Sequence, residues 1–220
     1  MSAENFNKTD SKPSVYYQRH RREIEPFIPT DVRRVLDVGC GQGFFGEMLK
    51  STREIEVWGM ELDAVSAKEA SRRLDRVLTG DVEQNLDILS DGYFDCITFN
   101  DVLEHLVDPW NILRLIKSKL RPGGVVVSSI PNIRYFYALR EVLVDRQWPY
   151  RGYGIFDKTH LRFFTYKSMI DLFNASGFDV VKIHGINGFD SWKFSMLSKL
   201  FLNKISDMRY EQFVVIASPN

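Results

Sequence analysis

Residues 35–43 read VLDVGCGQG, an apolar strand that runs directly into three glycines at alternate positions. The following residues, 44–50, read FFGEMLK and have the character of a helix. Glycine lets the backbone approach a ligand closely and adopt positive φ, and the first turn of a helix offers free N–H groups. A strand, a glycine loop and a helix in this order predict a binding site for a nucleotide-type cofactor.

Two kinds of cofactor fit this loop. Residues 41–46 match G-x-G-x-x-G, the dinucleotide fingerprint, in which glycines let a pyrophosphate approach. A single match of this kind is a weak signal, and the carboxylate of Asp37 at the end of the strand separates the two readings. It would repel a pyrophosphate and attract the sulfonium or ammonium group of S-adenosylmethionine. The charge favours the methyl donor.

Short apolar runs alternate with helical patterns through most of the chain. Asp108 is a suitable N-cap and Pro109 a suitable first residue for one of the helices. The alternation predicts an α/β fold in which right-handed crossovers place helices on both faces of a mainly parallel sheet. The predicted strands are residues 34–38, 56–61, 76–79, 94–99 and 125–130, and the predicted helices are residues 43–50, 64–74 and 109–120.

In this series of motifs the chain resembles the class I S-adenosylmethionine-dependent methyltransferases, from about Tyr16 to the C-terminus. Residues 94–101 resemble the fourth strand of that family, and residues 120–124 resemble the turn before its fifth. The resemblance implies that Glu61 accepts hydrogen bonds from both ribose hydroxyls and that Asp81 meets the adenine amino group. The donor contacts that it implies are Asp37, Gly39, Cys40, Gly41, Gly43, Glu61, Leu62, Asp81, Val82 and Asn100.

The resemblance also predicts how the ends of the sheet are completed. Thr165 can cap a helix over residues 166–176, and strands at residues 178–184 and 212–217 would pair antiparallel to complete a Rossmann-like seven-stranded sheet. Between these strands we expect a helix near residues 192–205. Its mixture of apolar and lysine side chains suits an amphipathic cover, a self-association face or, as a minor alternative, a membrane surface.

The segment before the first strand is predicted to reach the cofactor. Residues 1–14 are polar and are predicted to be flexible, and residues 16–28 are compatible with a helix. In the resembled family such a helix closes over the donor, so Tyr16, Tyr17 or Arg21 could contact its carboxylate, although a solvated basic face is an equal alternative. Residues 15–220 then form one domain, with acceptor-binding insertions at about 131–165 and 186–210.

The first insertion is rich in aromatic and basic residues, and it is the region where the acceptor should bind. Flat rings can stack on a sugar, and guanidinium groups can hold a phosphate or carboxylate. We therefore expect Arg134, Tyr135, Tyr150 and Arg162 to bind the substrate, which would be a saccharide or a nucleotide-linked sugar.

Two histidines are candidates for the base that an alcohol acceptor needs. His160 lies in residues 157–165, which resemble the active-site loop of bacterial glycan and O-antigen methyltransferases and, more loosely, of quinone O-methyltransferases, and Asp157 could orient its ring. His105 follows the fourth strand and is the rival. Glu104 and His105 could belong to a metal site, but the sequence offers no third ligand at convincing spacing, so we expect no metal.

The composition of the chain indicates which kinds of partner and which cellular location to expect. The 220 residues are 44% hydrophobic and 26% charged, and 29 basic residues balance 29 acidic ones, so no global positive field favours nucleic acid. The two cysteines and the lack of a membrane-length apolar run predict a cytoplasmic protein. The expected activity is methylation of a saccharide hydroxyl. The alternatives are quinone or phenolic O-methylation, or a cofactor-binding partner subunit without catalysis.

Overall fold

A computed structural model describes residues 20–220, which fold around one seven-stranded sheet. The sheet order is β3-β2-β1-β4-β5-β7-β6. The first five strands of this order pair in parallel, and β7 runs antiparallel to both of its neighbours, β5 and β6. The predicted Rossmann-like sheet is confirmed. The strands are β1 (Arg34–Val38), β2 (Glu56–Glu61), β3 (Arg76–Thr79), β4 (Phe94–Asn100), β5 (Leu120–Pro131), β6 (Phe178–Gly188) and β7 (Tyr210–Pro219).

The helices begin where the sequence supplies caps. The Asp108 carboxylate accepts the N–H of Asn111 at the start of α4, and Thr165 and Ser168 form a reciprocal capping box at the start of α6. The second and third predicted helices end earlier than expected, at Ala70 and Ile116. The helices are α1 (Phe44–Thr52), α2 (Ala64–Ala70), α3 (Val82–Asn85), α4 (Pro109–Ile116), α5 (Phe136–Leu143), α6 (Tyr166–Ala175) and α7 (Trp192–Leu200).

Two hydrophobic cores lie on the two faces of the sheet. Leu36 and Val38 of β1 belong to the larger core, together with apolar residues of α4 and α6, while Val35 belongs to the smaller core with residues of α1. Because successive side chains of a strand point to opposite faces, this division places helices on both sides of the sheet. With both faces covered, the carboxyl ends of the parallel strands are the edge at which a ligand can bind.

The segment before β1 differs from the helix predicted for it. Over residues 20–28 the described chain makes a turn and one short 3-10 helix, Glu25–Phe27, which contains Pro26. Arg21 has a φ of 49°, which is incompatible with an α-helix at this residue. Tyr16, Tyr17 and residues 1–14 lie outside the described residues.

The insertion between β6 and β7 contains the predicted helix in shortened form. Helix α7 ends at Leu200 because Leu202 and Asn203 both have positive φ, and a 3-10 turn, Ser206–Arg209, leads into β7. Several apolar side chains of α7 are exposed, among them Trp192 and Leu200. Every helix within residues 20–220 is too short or too polar to cross a bilayer.

Candidate active site

A cavity of about 410 Å³ lies at the carboxyl ends of β1, β2 and β4, and we call it the donor pocket. The residues predicted from the sequence to contact the methyl donor lie in the wall of this pocket, with the exception of Gly43 and of those outside the described residues. The residues of its wall include Arg21, Asp37, Gly39, Cys40, Gly41, Glu61, Leu62, Asp81, Val82, Asn100 and His105.

The glycine loop holds its shape through backbone geometry and through hydrogen bonds to β2. Gly39 has a φ of 70°, and a Cβ added there would lie 2.5 Å from a methyl carbon of Val102. The N–H groups of Gly39 and Cys40 both donate to the carbonyl of Met60. Gly43 instead packs against α2, because its added Cβ would lie 3.1 Å from Cα of Ala70. Gly43 therefore packs closely against α2 and is absent from the wall of the donor pocket, and its contact with the cofactor stays a prediction.

Asp37 is a buried carboxylate at the base of the donor pocket. The hydroxyl of Thr98 donates to it at 2.6 Å, and the amide of Asn100 lies 3.5 Å away. Burial, reinforced by the nearby charge of Glu61, raises the pKa of Asp37 to about 7. A cationic ligand would offset this cost, because it favours the ionised form.

Two further acids have backbone partners around the pocket. One oxygen of Glu61 accepts the N–H of Gly41 at 2.8 Å and the other accepts the N–H of Asp63 at 2.9 Å, while burial raises the pKa of Glu61. Asp81 caps α3 by accepting the N–H of Glu83 at 2.9 Å. Each carboxylate oxygen has capacity for another hydrogen bond, so contacts to the ribose and adenine remain predictions for these residues.

An ion pair connects the segment before β1 to the sheet. Arg21 is only 8% exposed, and its guanidinium pairs with Asp101, which also accepts hydrogen bonds from Gln212 at 2.8 Å and Ser129 at 3.1 Å. These contacts hold Arg21 in the wall of the donor pocket. Its predicted contact with the donor carboxylate is compatible with that placement and stays a prediction.

A second, polar cavity of about 290 Å³ adjoins the donor pocket, and we call it the acceptor chamber. Asp101 lies in the wall of both cavities, which places the chamber next to the donor. Sequence reasoning identified His160 here but missed most of the other polar wall. That wall includes Asp101, Glu104, Asp157, His160, Asn187, Glu211 and Gln212.

The two candidate bases meet where the donor pocket and the acceptor chamber adjoin, with ring centroids 4.7 Å apart. Nδ1 of His105 lies 3.1 Å from the carbonyl of Thr159, and Nδ1 of His160 lies 3.1 Å from the carbonyl of Ile155. A carbonyl oxygen only accepts, so in each neutral ring Nδ1 carries the hydrogen and Nε2 is the nitrogen that can take up a proton.

Glu104 is the carboxylate that faces His160. Its Oε1 lies 3.9 Å from Nε2 of His160, and both side chains are buried, so a proton arriving at Nε2 would be stabilised by a nearby negative charge. The carbonyl of Ile155 lies at Nδ1 of His160, and the Asp157 carboxylate accepts hydrogen bonds from Thr159, so the predicted orientation of the ring by Asp157 stays a prediction.

The same side chains are also grouped as the ligands of a divalent cation would be. One ligand atom each from Glu104, His105 and His160 lie within 4.8 Å of one another. One carboxylate and two imidazoles suit a divalent cation such as zinc. The fold brings His160 beside the other two as a possible third ligand, and the expected absence of a metal stays a prediction.

The residues predicted to bind the acceptor do not converge on one cavity. Arg134 is paired with Asp207 at 2.7 Å, Tyr150 is 77% exposed, and Tyr135 packs against other aromatic rings. Arg162 donates to the carbonyl of Val107, which lies in the wall of the donor pocket. Of the four, Arg162 is placed at the edge of the site, and the substrate roles of all four remain predictions.

The seven-stranded sheet with antiparallel β7, and the acid-flanked glycine pocket at its carboxyl edge, define a class I S-adenosylmethionine-dependent methyltransferase fold. Residues 14–183 match the sequence model of a family described as a methyltransferase domain. Because this match covers most of the chain, the protein belongs to that family, and its cofactor is S-adenosylmethionine.

The chain is also similar to proteins named ubiquinone biosynthesis O-methyltransferase. The chain is 32% identical over 138 residues to the mitochondrial ubiquinone biosynthesis O-methyltransferase of Saccharomyces cerevisiae, an alignment that covers 58% of this chain and 44% of that protein. It is 27% identical over 187 residues to the enzyme of the same name from Cereibacter sphaeroides, with coverage of 80% and 72%. The chain spans less than half the length of the first relatives that it matches.

Solved structures show the same fold. A SAM-dependent methyltransferase from Archaeoglobus fulgidus superposes with a TM-score of 0.65 at 24% identity and 92% coverage of both chains. An S-adenosylmethionine-dependent methyltransferase from Mesorhizobium loti superposes with a TM-score of 0.62 at 21% identity, covering 89% of this chain and 95% of that one. At these identities the likeness concerns the fold alone.

Proposed function

We propose that this protein transfers the methyl group of S-adenosylmethionine to a phenolic hydroxyl on a ring of the kind from which quinones are made. The observation that carries the proposal is the pair His105 and His160 at the junction of the donor pocket and the acceptor chamber. A quinone carbonyl has no hydroxyl to methylate, so the acceptor is the reduced, phenolic form of such a ring. The named O-methyltransferase relatives support this choice of acceptor.

The proposed reaction is an in-line displacement. Nε2 of His160 takes the phenol proton, an oxygen lone pair forms the new bond to the methyl carbon, and the bond between that carbon and sulfur breaks. The products are the methyl ether, neutral S-adenosylhomocysteine and an imidazolium beside Glu104. The chain supplies alignment, exclusion of water and the base, which are the main contributions available to an enzyme of this reaction.

A saccharide hydroxyl is the second candidate acceptor, and the lining of the acceptor chamber favours it. Asn187, Gln212 and several carboxylates surround this small cavity, and such groups hydrogen-bond to the hydroxyls of a sugar. An alcohol is less acidic than a phenol, so a saccharide acceptor would depend more strongly on the His160 base.

The deciding experiment is methyl transfer measured by mass spectrometry, with one set of phenols bearing vicinal hydroxyls and one set of nucleotide sugars. We expect methylated phenol with the natural protein and a large loss with His160→Asn. A methylated sugar would instead assign the second candidate. Binding of S-adenosylhomocysteine without transfer to either set would favour a non-catalytic cofactor-binding subunit, and tight binding of NADH in its place would contradict the donor assignment.

Location and assembly belong to the same proposal. We propose a cytoplasmic protein, which is supported by two buried, free cysteines, Cys40 and Cys96. Self-association through residues 186–210 is supported by the exposed apolar side chains Trp192, Met196 and Leu200. Sedimentation velocity of the purified chain tests this, and a monomer at all concentrations would contradict it.

A further inference from the structure

We propose that a third cavity, which lies under α7, is a separate binding site for an organic phosphate. This cavity has a volume of about 920 Å³ and is lined by residues of α7, β6, the start of β7 and the start of α6. It shares no wall residue with the donor pocket or the acceptor chamber. Its volume is within the range of small-molecule sites, roughly 300–1,000 Å³. We call it the α7 cavity.

The charge of the wall selects an anion. Five cationic side chains line the α7 cavity but only one acid, Asp207, although basic and acidic residues are equal in number over the whole chain. Asp207 is already paired with Arg134 at 2.7 Å. The other four cations of the wall are Lys167, Lys199, Lys204 and Arg209.

The lysines are the groups available to the ligand. Within residues 20–220, Lys167, Lys199 and Lys204 have no carboxylate within ion-pair distance of their ammonium groups. Arg209 pairs with Asp190 at 3.4 Å through Nη1 and donates to the hydroxyl of Ser195 at 2.7 Å through Nη2, so it is a partly compensated guanidinium beside a hydroxyl in the wall. Ammonium groups with neighbouring hydroxyls are suitable partners for phosphate oxygens.

Part of the wall is aromatic, formed by Tyr166, Phe194, Tyr210 and Phe213, which indicates that the phosphate carries an apolar or planar group. Phe213 lies between Tyr166 and Tyr210, with ring centroids 5.2 Å and 5.8 Å away. The ring of Tyr210 lies against the backbone of β6, since a Cβ at Gly185 would be 2.1 Å from it. This aromatic side and the lysine side face one cavity, so they suit a ligand with an apolar part and an anionic part.

Two sources supply that chemistry: a soluble nucleoside diphosphate, and the phosphate headgroup of a lipid. We therefore use uridine diphosphate as one probe and measure its binding by calorimetry at low salt. The measurement is repeated with saturating S-adenosylhomocysteine, which fills the donor pocket, so that the remaining binding can be assigned to the α7 cavity. Vesicles of phosphatidylglycerol are the other probe, by co-sedimentation, with phosphatidylcholine vesicles as reference. Neither measurement requires methyl transfer, so this proposal and the proposed function can fail independently.

The test variant is Lys199→Glu with Lys204→Glu, and the matched control is Lys182→Glu with Lys193→Glu, which changes net charge equally outside the cavity wall. We expect the test variant to weaken binding of the productive probe by about tenfold or more, the scale of losing charge-assisted contacts, and the control to change it by less than about twofold. S-adenosylhomocysteine binding should be equal in all three proteins. If the test variant loses that binding as well, the single variants Lys199→Gln and Lys204→Gln replace it under the same criteria.

The two probes distinguish a soluble ligand from a lipid. Loss of uridine diphosphate binding in the test variant assigns a soluble organic phosphate, and loss of phosphatidylglycerol binding assigns a lipid phosphate. The proposal is overturned if the natural protein binds neither probe, if the test variant binds as well as the natural protein, or if the control weakens binding equally.

Discussion

The donor side and the acceptor side of this molecule are built in different ways. On the donor side, the ends of β1 and β2 and the glycine loop between β1 and α1 form the pocket largely through backbone shape. On the acceptor side, the chamber is made of side chains from distant segments, such as Asp101 and Gln212, which are 111 positions apart. A site that is formed by the backbone of one loop can be predicted from a short stretch of sequence, whereas a site that is formed by side chains from distant segments cannot.

The largest effect should come from the junction between the two sides. For His160→Asn we expect the single-turnover rate of methyl transfer to fall by about 10²–10⁴-fold, the usual contribution of a positioned base. The affinity for S-adenosylhomocysteine should be unchanged, because His160 lies in the wall of the acceptor chamber rather than of the donor pocket.

His184→Asn is the matched control, since His184 lies in the wall of the α7 cavity, and it should leave the rate unchanged. Treatment with a chelator tests whether Glu104, His105 and His160 act as a base with its neighbours or as ligands of a metal ion. If they act as a base and its partners, the rate persists after chelation. A loss that added zinc or magnesium restores would assign them to a cation instead.

The next effect concerns the base of the donor pocket. Asp37→Asn should weaken binding of S-adenosylmethionine by about 1–3 kcal/mol, the value of a hydrogen bond or contact to a charged group. Asparagine can still accept the Thr98 hydroxyl, so the fold should be retained. Calorimetry measures the affinity, and an unchanged dissociation constant would contradict the placement of the donor cation near Asp37.

The same variant should be more stable than the natural protein above pH 7. The folded pKa of Asp37, about 7, lies above its reference value of 3.8, so its destabilising effect is absent below pH 3.8, grows as pH rises from 3.8 to 7 and is complete above 7. Asparagine removes that penalty. Thermal unfolding at pH 8 should therefore show a higher Tm for the variant, and the difference should disappear near pH 4.

A pH titration of donor binding gives a smaller effect. Ionised Asp37 attracts the cationic donor, so protonation below pH 7 should weaken S-adenosylmethionine binding by roughly tenfold between pH 8 and pH 6. Asp37→Asn is the control, and its affinity should vary much less over that interval. Equal slopes for the two proteins would assign the pH dependence to another group.

The smallest effect is expected on the acceptor side, at Tyr150. This side chain is 77% exposed, and Tyr150→Ala should change the unfolding free energy by less than about 0.5 kcal/mol. The dissociation constant of the donor should also be unchanged. A selective rise in the KM of the acceptor would show that Tyr150 binds substrate after all and would reduce the contrast between the two sides.

The limits of prediction follow the same division. Asp108 and Thr165 were identified as helix caps because a cap interacts with residues three positions away. The packing of Gly43 depends on the position of α2, and the ion pair of Arg134 with Asp207 joins residues 73 positions apart. Neither contact could be predicted from the neighbouring residues in the sequence. The prediction of the sheet succeeded because each predicted strand is a short apolar run in the local sequence.

The hydrogen bond from Gly41 to Glu61 has a consequence for turnover. It holds the glycine loop in a ligand-ready shape before any donor arrives, so binding requires little ordering of the chain. S-adenosylhomocysteine retains the adenosine and amino-acid parts of the donor, and a preorganised cradle will hold it almost as firmly. We therefore expect departure of the spent cofactor to limit the steady-state rate, which a burst of product in the first turnover would reveal.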